Sequence, residues 1–133
     1  MVSITVTPAL KFRPLWLVIG YALVALVVFL SLTSSPVDTG LNFPYEDKLY
    51  HVLAYFTLMV WFAQIYHDRL KRNLIALMLV LLGVALEYLQ SFDPNRYSEF
   101  ADMVANSTGV LLGLMLALTG LKNCLLNFEK IIR

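Results

Sequence analysis

The amino-acid sequence predicts an all-α fold: a bundle of four transmembrane helices with both termini in the cytoplasm. Three observations predict it. Hydrophobic residues make up 59% of the 133 positions, above the roughly half-apolar content of a soluble domain. They are gathered into four long runs. The basic residues between those runs fall almost entirely on one side.

The runs are Leu15–Thr33, Leu49–Tyr66, Leu74–Phe92 and Met103–Leu121. At ~1.5 Å rise per residue, a helix of about 20 residues crosses a ~30 Å hydrocarbon core. A soluble all-α core would need polar stripes at helical period. The first run has none, with only Gly20, Tyr21 and Ser31 breaking its apolar surface before Thr33. Lys11 and Arg13 flank it, but it is long for a signal peptide. The stretch from Ser31 to Pro36 carries no small-residue cleavage pattern, so a retained first helix is expected.

Met1–Arg13 reads as a short arm at the cytoplasmic interface. Pro36, Gly40 and Pro44 make Ser34–Glu46 a loop, with Phe43 and Tyr45 suited to headgroup depth. His67–Arg72 reads as a tight basic turn between antiparallel helices. Asp93-Pro94-Asn95 is a turn signal that ends the third helix. Asn123–Arg133 alternates charges with Leu125, Leu126, Phe128, Ile131 and Ile132, as in an interfacial helix or an extension of the fourth. Cys124 is the single cysteine, so an internal disulfide is excluded. The whole chain reads as one domain.

Topology follows from charge. Lys11, Arg13, Arg69, Lys71, Arg72, Lys122, Lys130 and Arg133, eight of the ten basic residues, share one side. Asp38, Glu46, Asp47, Glu87, Asp93, Glu99 and Asp102, seven of the nine acids, share the other. The positive-inside rule places the basic side, and both termini, in the cytoplasm. The basic residues are too few and dispersed for a nucleic-acid surface; the expected partner is the lipid bilayer.

Three polar sets then fall at the outer end. They are Asp47-Lys48-x-x-His51 with Tyr55 one turn on, Glu87-x-x-Gln90, and Asp102-x-x-x-Asn106. Spacings of three and four put each set on one helical face. Glu99, Asp102, Asn106, Gly109 and Gly113 form one stripe, polar at its start and small toward the middle. Gly109-x-x-x-Gly113 permits close helix approach. Ionisable groups facing lipid are costly, so the sets are expected to face one another.

In order, Asp47-Lys48-x-x-His51-x-x-x-Tyr55, Glu87-x-x-Gln90, Arg96, Asp102, Asn106, Gly109 and Gly113 resemble the VanZ-like membrane proteins. The likeness covers the second to fourth helices and the loop before the fourth. It implies a small bacterial integral membrane protein of the cytoplasmic membrane, in a family named for a protein linked to teicoplanin resistance. It supplies no common reaction.

Several chemistries compete at the polar end. His51, Asp47, Glu87 and Asp102 include donors for a divalent cation. Lys48 and Arg96, however, nearly balance the three acids, so a self-paired ion network is expected, with neither metal nor cofactor. Lys48 and Arg96 also offer contacts to a phosphate or carboxylate. His51 or Glu87 suits acid–base catalysis, although no nucleophile is spaced beside His51 and only Ser98 and Ser107 remain as candidates. Transport needs a path across the bilayer, and the other halves of the runs are apolar. The reading favoured is an outward-facing polar site that binds a lipid headgroup or cell-wall precursor. A membrane-embedded enzyme on a lipid-linked substrate and a purely structural partner are the alternatives.

Overall fold

The computed structural model describes residues 10–33, 40–96 and 98–132. Met1–Ala9, residues 34–39 with the Pro36 loop signal, Tyr97 and Arg133 lie outside it. Among the described residues all regular structure is helical: α1 Arg13–Leu32, α2 Glu46–Ile65, α3 Arg69–Gln90, α4 Phe100–Leu116 and α5 Cys124–Ile132, with a 3₁₀ turn at Gly120–Asn123.

Helix starts follow local chemistry. Pro14 sits in the first turn of α1, where a missing N–H costs nothing. The Asp68 side chain caps α3 by accepting from Leu70 N. That cap starts α3 at Arg69 and corrects the expected basic turn. The connection is only Tyr66–Asp68, and Arg69, Lys71 and Arg72 belong to the helix. At the other end of α3, Asn95 N donates to Asp93 Oδ1 at 2.9 Å, closing the Asp-Pro-Asn turn.

α2 is the centre. Its Tyr55, Leu58, Met59 and Ala63 form the core with Ala76 and Leu79 of α3, Val110 of α4 and Ala117. α1 is peripheral, burying only Trp16 and Gly20. Val18, Leu26 and Phe29 of α1, Leu77, Met78 and Leu81 of α3, and Leu111, Leu112 and Met115 of α4 stay exposed. Water would not tolerate so broad an apolar surface, and a bilayer suits it. Thr57 and Thr108, also exposed, bond back to the carbonyls of Leu53 and Val104, each at 2.7 Å, which satisfies their hydroxyls within the helix.

α1 and α3 are long and apolar enough to cross a membrane. The fourth expected run, Met103–Leu121, is not one straight helix. α4 ends at Leu116, and Gly120–Ile132 departs from it at 82°, so the two make a further span only as a broken pair. Thr119 and Gly120 account for the break: Leu121 N bonds to the Thr119 hydroxyl at 3.2 Å, restarting the chain in a new direction. Asn123–Arg133 is therefore no continuation of α4. Leu126 docks α5 against Leu10, Trp16 and Ile65.

Candidate functional site

The starts of α2 and α4 and the end of α3 meet at one end of the bundle. In the first turn of α2, ahead of the apolar stretch beginning at Leu49, the Lys48 ammonium reaches three carboxylates. It lies 2.6 Å from Asp47 Oδ2, 2.7 Å from Asp102 Oδ1 and 3.0 Å from Glu99 Oε2. The hydrogen bond from Lys48 holds the Asp47 carboxyl below its ordinary value. The site is graded in depth: side-chain exposure is 62% at Asp47 and 52% at Glu99, but 5% at Asp102. Asp102 also occupies the first turn of α4, where the helix dipole favours an anion.

One turn deeper, His51 Nδ1 lies 2.8 Å from Asn106 Oδ1. The amide oxygen accepts, so Nδ1 carries a proton, and in the neutral ring Nε2 presents its lone pair. Nε2 faces Asp102 Oδ1 at 3.8 Å. That is too long for a hydrogen bond. Glu87, 1% exposed, comes from the last turn of α3. The Ser98 hydroxyl donates to the Glu87 main-chain carbonyl at 2.8 Å and sits 3.5 Å from its Oε2. One donor atom each from His51, Glu87 and Asp102 lie within 4.8 Å of one another. Tyr55, one turn below His51, is 1% exposed, and its hydroxyl has no hydrogen-bond partner among the described residues.

A family model, VanZ/LLP1, matches residues 16–123. The chain belongs to the VanZ/LLP1 family. No curated protein and no solved structure matches it.

The VanZ-family residues singled out by sequence do not all converge. Lys48, His51, Asp102 and Asn106 contact one another, with Asp47 at the rim and Glu87 on the floor. Gln90 is buried but turns away: its amide donates to Ser31 O at 2.6 Å, capping the end of α1. Arg96 is a further departure. It sits in the turn after α3, and among the described residues no ion pair joins it to Asp47, Glu87 or Asp102. Gly109 and Gly113 lie against α2. A Cβ at Gly109 would meet Val52 O at 2.3 Å, and one at Gly113 would meet Met59 Cβ at 2.7 Å. Gly83 of α3 has the Asn106 side chain over it in the same way, at 3.0 Å.

These placements revise the charge balance. Glu99 joins the cluster and Arg96 does not, leaving Asp47, Glu87, Glu99 and Asp102 against Lys48 and His51. Four carboxyl groups around one fixed cation leave negative charge in excess, even with the imidazole protonated. Lys48 is engaged by three carboxylates, and among the described residues Arg96 makes no ion pair with Asp47, Glu87 or Asp102.

Sequence reasoning missed a second polar cluster at the other end. Arg72, counted only as a loop cation, is buried, and its Nη1 donates to Ala117 O at 2.7 Å, at the end of α4. Gln64 spans the α4–α5 break, donating to Leu121 O at 2.7 Å and accepting from Leu125 N at 3.1 Å. Glu129 is fully buried and accepts from Lys11 N and Phe12 N, both at 2.9 Å. The signals were there. Gln64 is a lone amide in an apolar run, and Glu129 stands one turn from Leu126 on the apolar face of α5.

Proposed function

We propose that this VanZ-family chain is a multi-pass protein of the bacterial cytoplasmic membrane whose acidic end faces outward and binds a cell-envelope component. The one-sided distribution of Lys and Arg supports that orientation, with four crossings and cytoplasmic termini. The observation carrying the binding role is the graded acid-rich site, from exposed Asp47 and Glu99 down to buried Asp102 and Glu87. Such a site favours groups that donate hydrogen bonds or carry positive charge. The amine or hydroxyl end of a lipid headgroup or cell-wall precursor has that chemistry. A role in glycopeptide tolerance of the teicoplanin type is the physiological form the family resemblance suggests.

The test replaces His51, Glu87 and Asp102 singly in cells that depend on the protein. Membrane abundance and sensitivity to teicoplanin and envelope stress are then measured. The expected result is abundant protein with lost protection. Full protection in every abundant variant would refute the binding role.

A further inference from the structure

We propose that His51, Glu87 and Asp102 form a binding site for a divalent transition-metal ion of the zinc or manganese class. The inference goes beyond the proposed function and does not depend on which envelope component is bound. The three side chains arrive from three different helices and bring one donor atom each within 4.8 Å of one another. Around a tetrahedral ion with bonds near 2.0–2.2 Å, neighbouring ligand atoms stand about 3.4 Å apart. The 3.8 Å from His51 Nε2 to Asp102 Oδ1 is therefore close to a metal-bridged spacing, whereas it is too long for a direct hydrogen bond.

The imidazole is also held as a ligand would be. Asn106 engages Nδ1 at 2.8 Å, which fixes the ring and leaves Nε2 facing Asp102. Metal-bound histidines are oriented by such a partner on the other ring nitrogen. A nitrogen donor with two carboxylates suits zinc, manganese or ferrous iron better than magnesium or calcium.

The Tyr55 hydroxyl supplies an independent sign. It is buried without a hydrogen-bond partner among the described residues, one helical turn below His51 on α2. A buried hydroxyl left unpaired costs free energy; a water or ligand oxygen on the ion would give it a partner. Three protein donors leave a coordination position for that oxygen.

Lys48 is the competing cation, since its ammonium lies 2.7 Å from the same Asp102 oxygen. Asp47 and Glu99 offer it alternative partners at 2.6 and 3.0 Å, so it can yield Asp102 without becoming unpaired. The structure thus sets two cations against one carboxylate, and their competition is measurable.

The test uses the full chain in detergent, stripped with chelator and titrated with Zn²⁺ or Mn²⁺ alone. Metal analysis and calorimetry should give one equivalent per chain, with a Kd tighter than about 10 µM. Asn106→Ala should weaken binding about 10- to 100-fold through loss of ring orientation. His51→Ala and Glu87→Gln should lose it. Lys48→Met should tighten it, by about tenfold for one nearby like charge removed. Absence of saturable binding to the wild-type chain overturns the proposal without recourse to any variant. So does full binding by His51→Ala, or weaker binding by folded Lys48→Met. Metal binding alongside unaltered envelope sensitivity would sink the proposed function alone. Envelope sensitivity that depends on His51 in a chain that binds no metal would sink this inference alone.

Discussion

The two polar ends of the bundle use similar residues in opposite ways. At the Arg72 end, each of the three side chains meets main chain: Arg72 the Ala117 carbonyl, Gln64 the Leu121 carbonyl and Leu125 N–H, and Glu129 the N–H groups of Lys11 and Phe12. These are helix ends and a break in the chain, where backbone groups lack intrahelical partners. At the Lys48 end, Lys48 and His51 meet other side chains, and acids exceed cations. Polar groups committed to backbone hold a fold together. Like charges brought together do not, and their persistence at one place argues for a ligand.

Substitutions sharpen this contrast, and the largest effect belongs to neither end. Gly109→Leu should prevent stable assembly, because even its Cβ would fall 2.3 Å from Val52 O; overpacking commonly costs about 1–3 kcal/mol, and backbone cannot yield as a side chain does. Loss of folded, monodisperse protein on gel filtration is the readout. Arg72→Met comes next. It leaves the Ala117 carbonyl buried without its charged donor and should lower stability by about 2–3 kcal/mol in thermal unfolding.

The decisive pair is Glu129→Gln against Glu87→Gln. The first puts an amide where a carboxylate accepts two N–H groups, and should destabilise by about 1–3 kcal/mol. The second removes one of two neighbouring buried acids. It should leave stability unchanged or raise it by on the order of 1 kcal/mol, while protection against envelope stress falls. Equal destabilisation by both would erase the distinction between the ends. The smallest effect is expected of Asp47→Asn, below about 1 kcal/mol at so exposed an ion pair. Asp47 has a folded-state pKa below its ordinary 3.8, so its contribution is present above that value and fades as pH falls through the lowered one. In Asp47→Asn, unfolding should lose that acid-side dependence.

Much of the helical fold was legible because long apolar runs announce helices. Each of α1 to α4 overlaps its expected run, and the glycine stripe of α4 lies against α2. The missed features share a cause. Spacing along one helix fixes which residues share a face, but a face can serve two neighbours. Glu87 and Gln90 are three residues apart, yet Glu87 meets the loop before α4 and Gln90 meets α1. Arg72 looked like a topology charge because its depth depends on where Asp68 starts the helix. The break at Thr119 and Gly120 lay within an apolar run, where hydropathy averages over two residues that turn the chain. Charge balance could not be read without knowing that Glu99 turns in.

The Glu129 contact also sets an order of events. Its carboxylate receives the main chain at Lys11 and Phe12, so the first described residues are completed by nearly the last. While the remaining helices are made, the start of α1 lacks the acceptor that Glu129 gives those two N–H groups in the folded chain. Only when α5 has been released can it be sealed. A chain without α5 would leave those two N–H groups to water, and the start of α1 would lose its tie to Glu129.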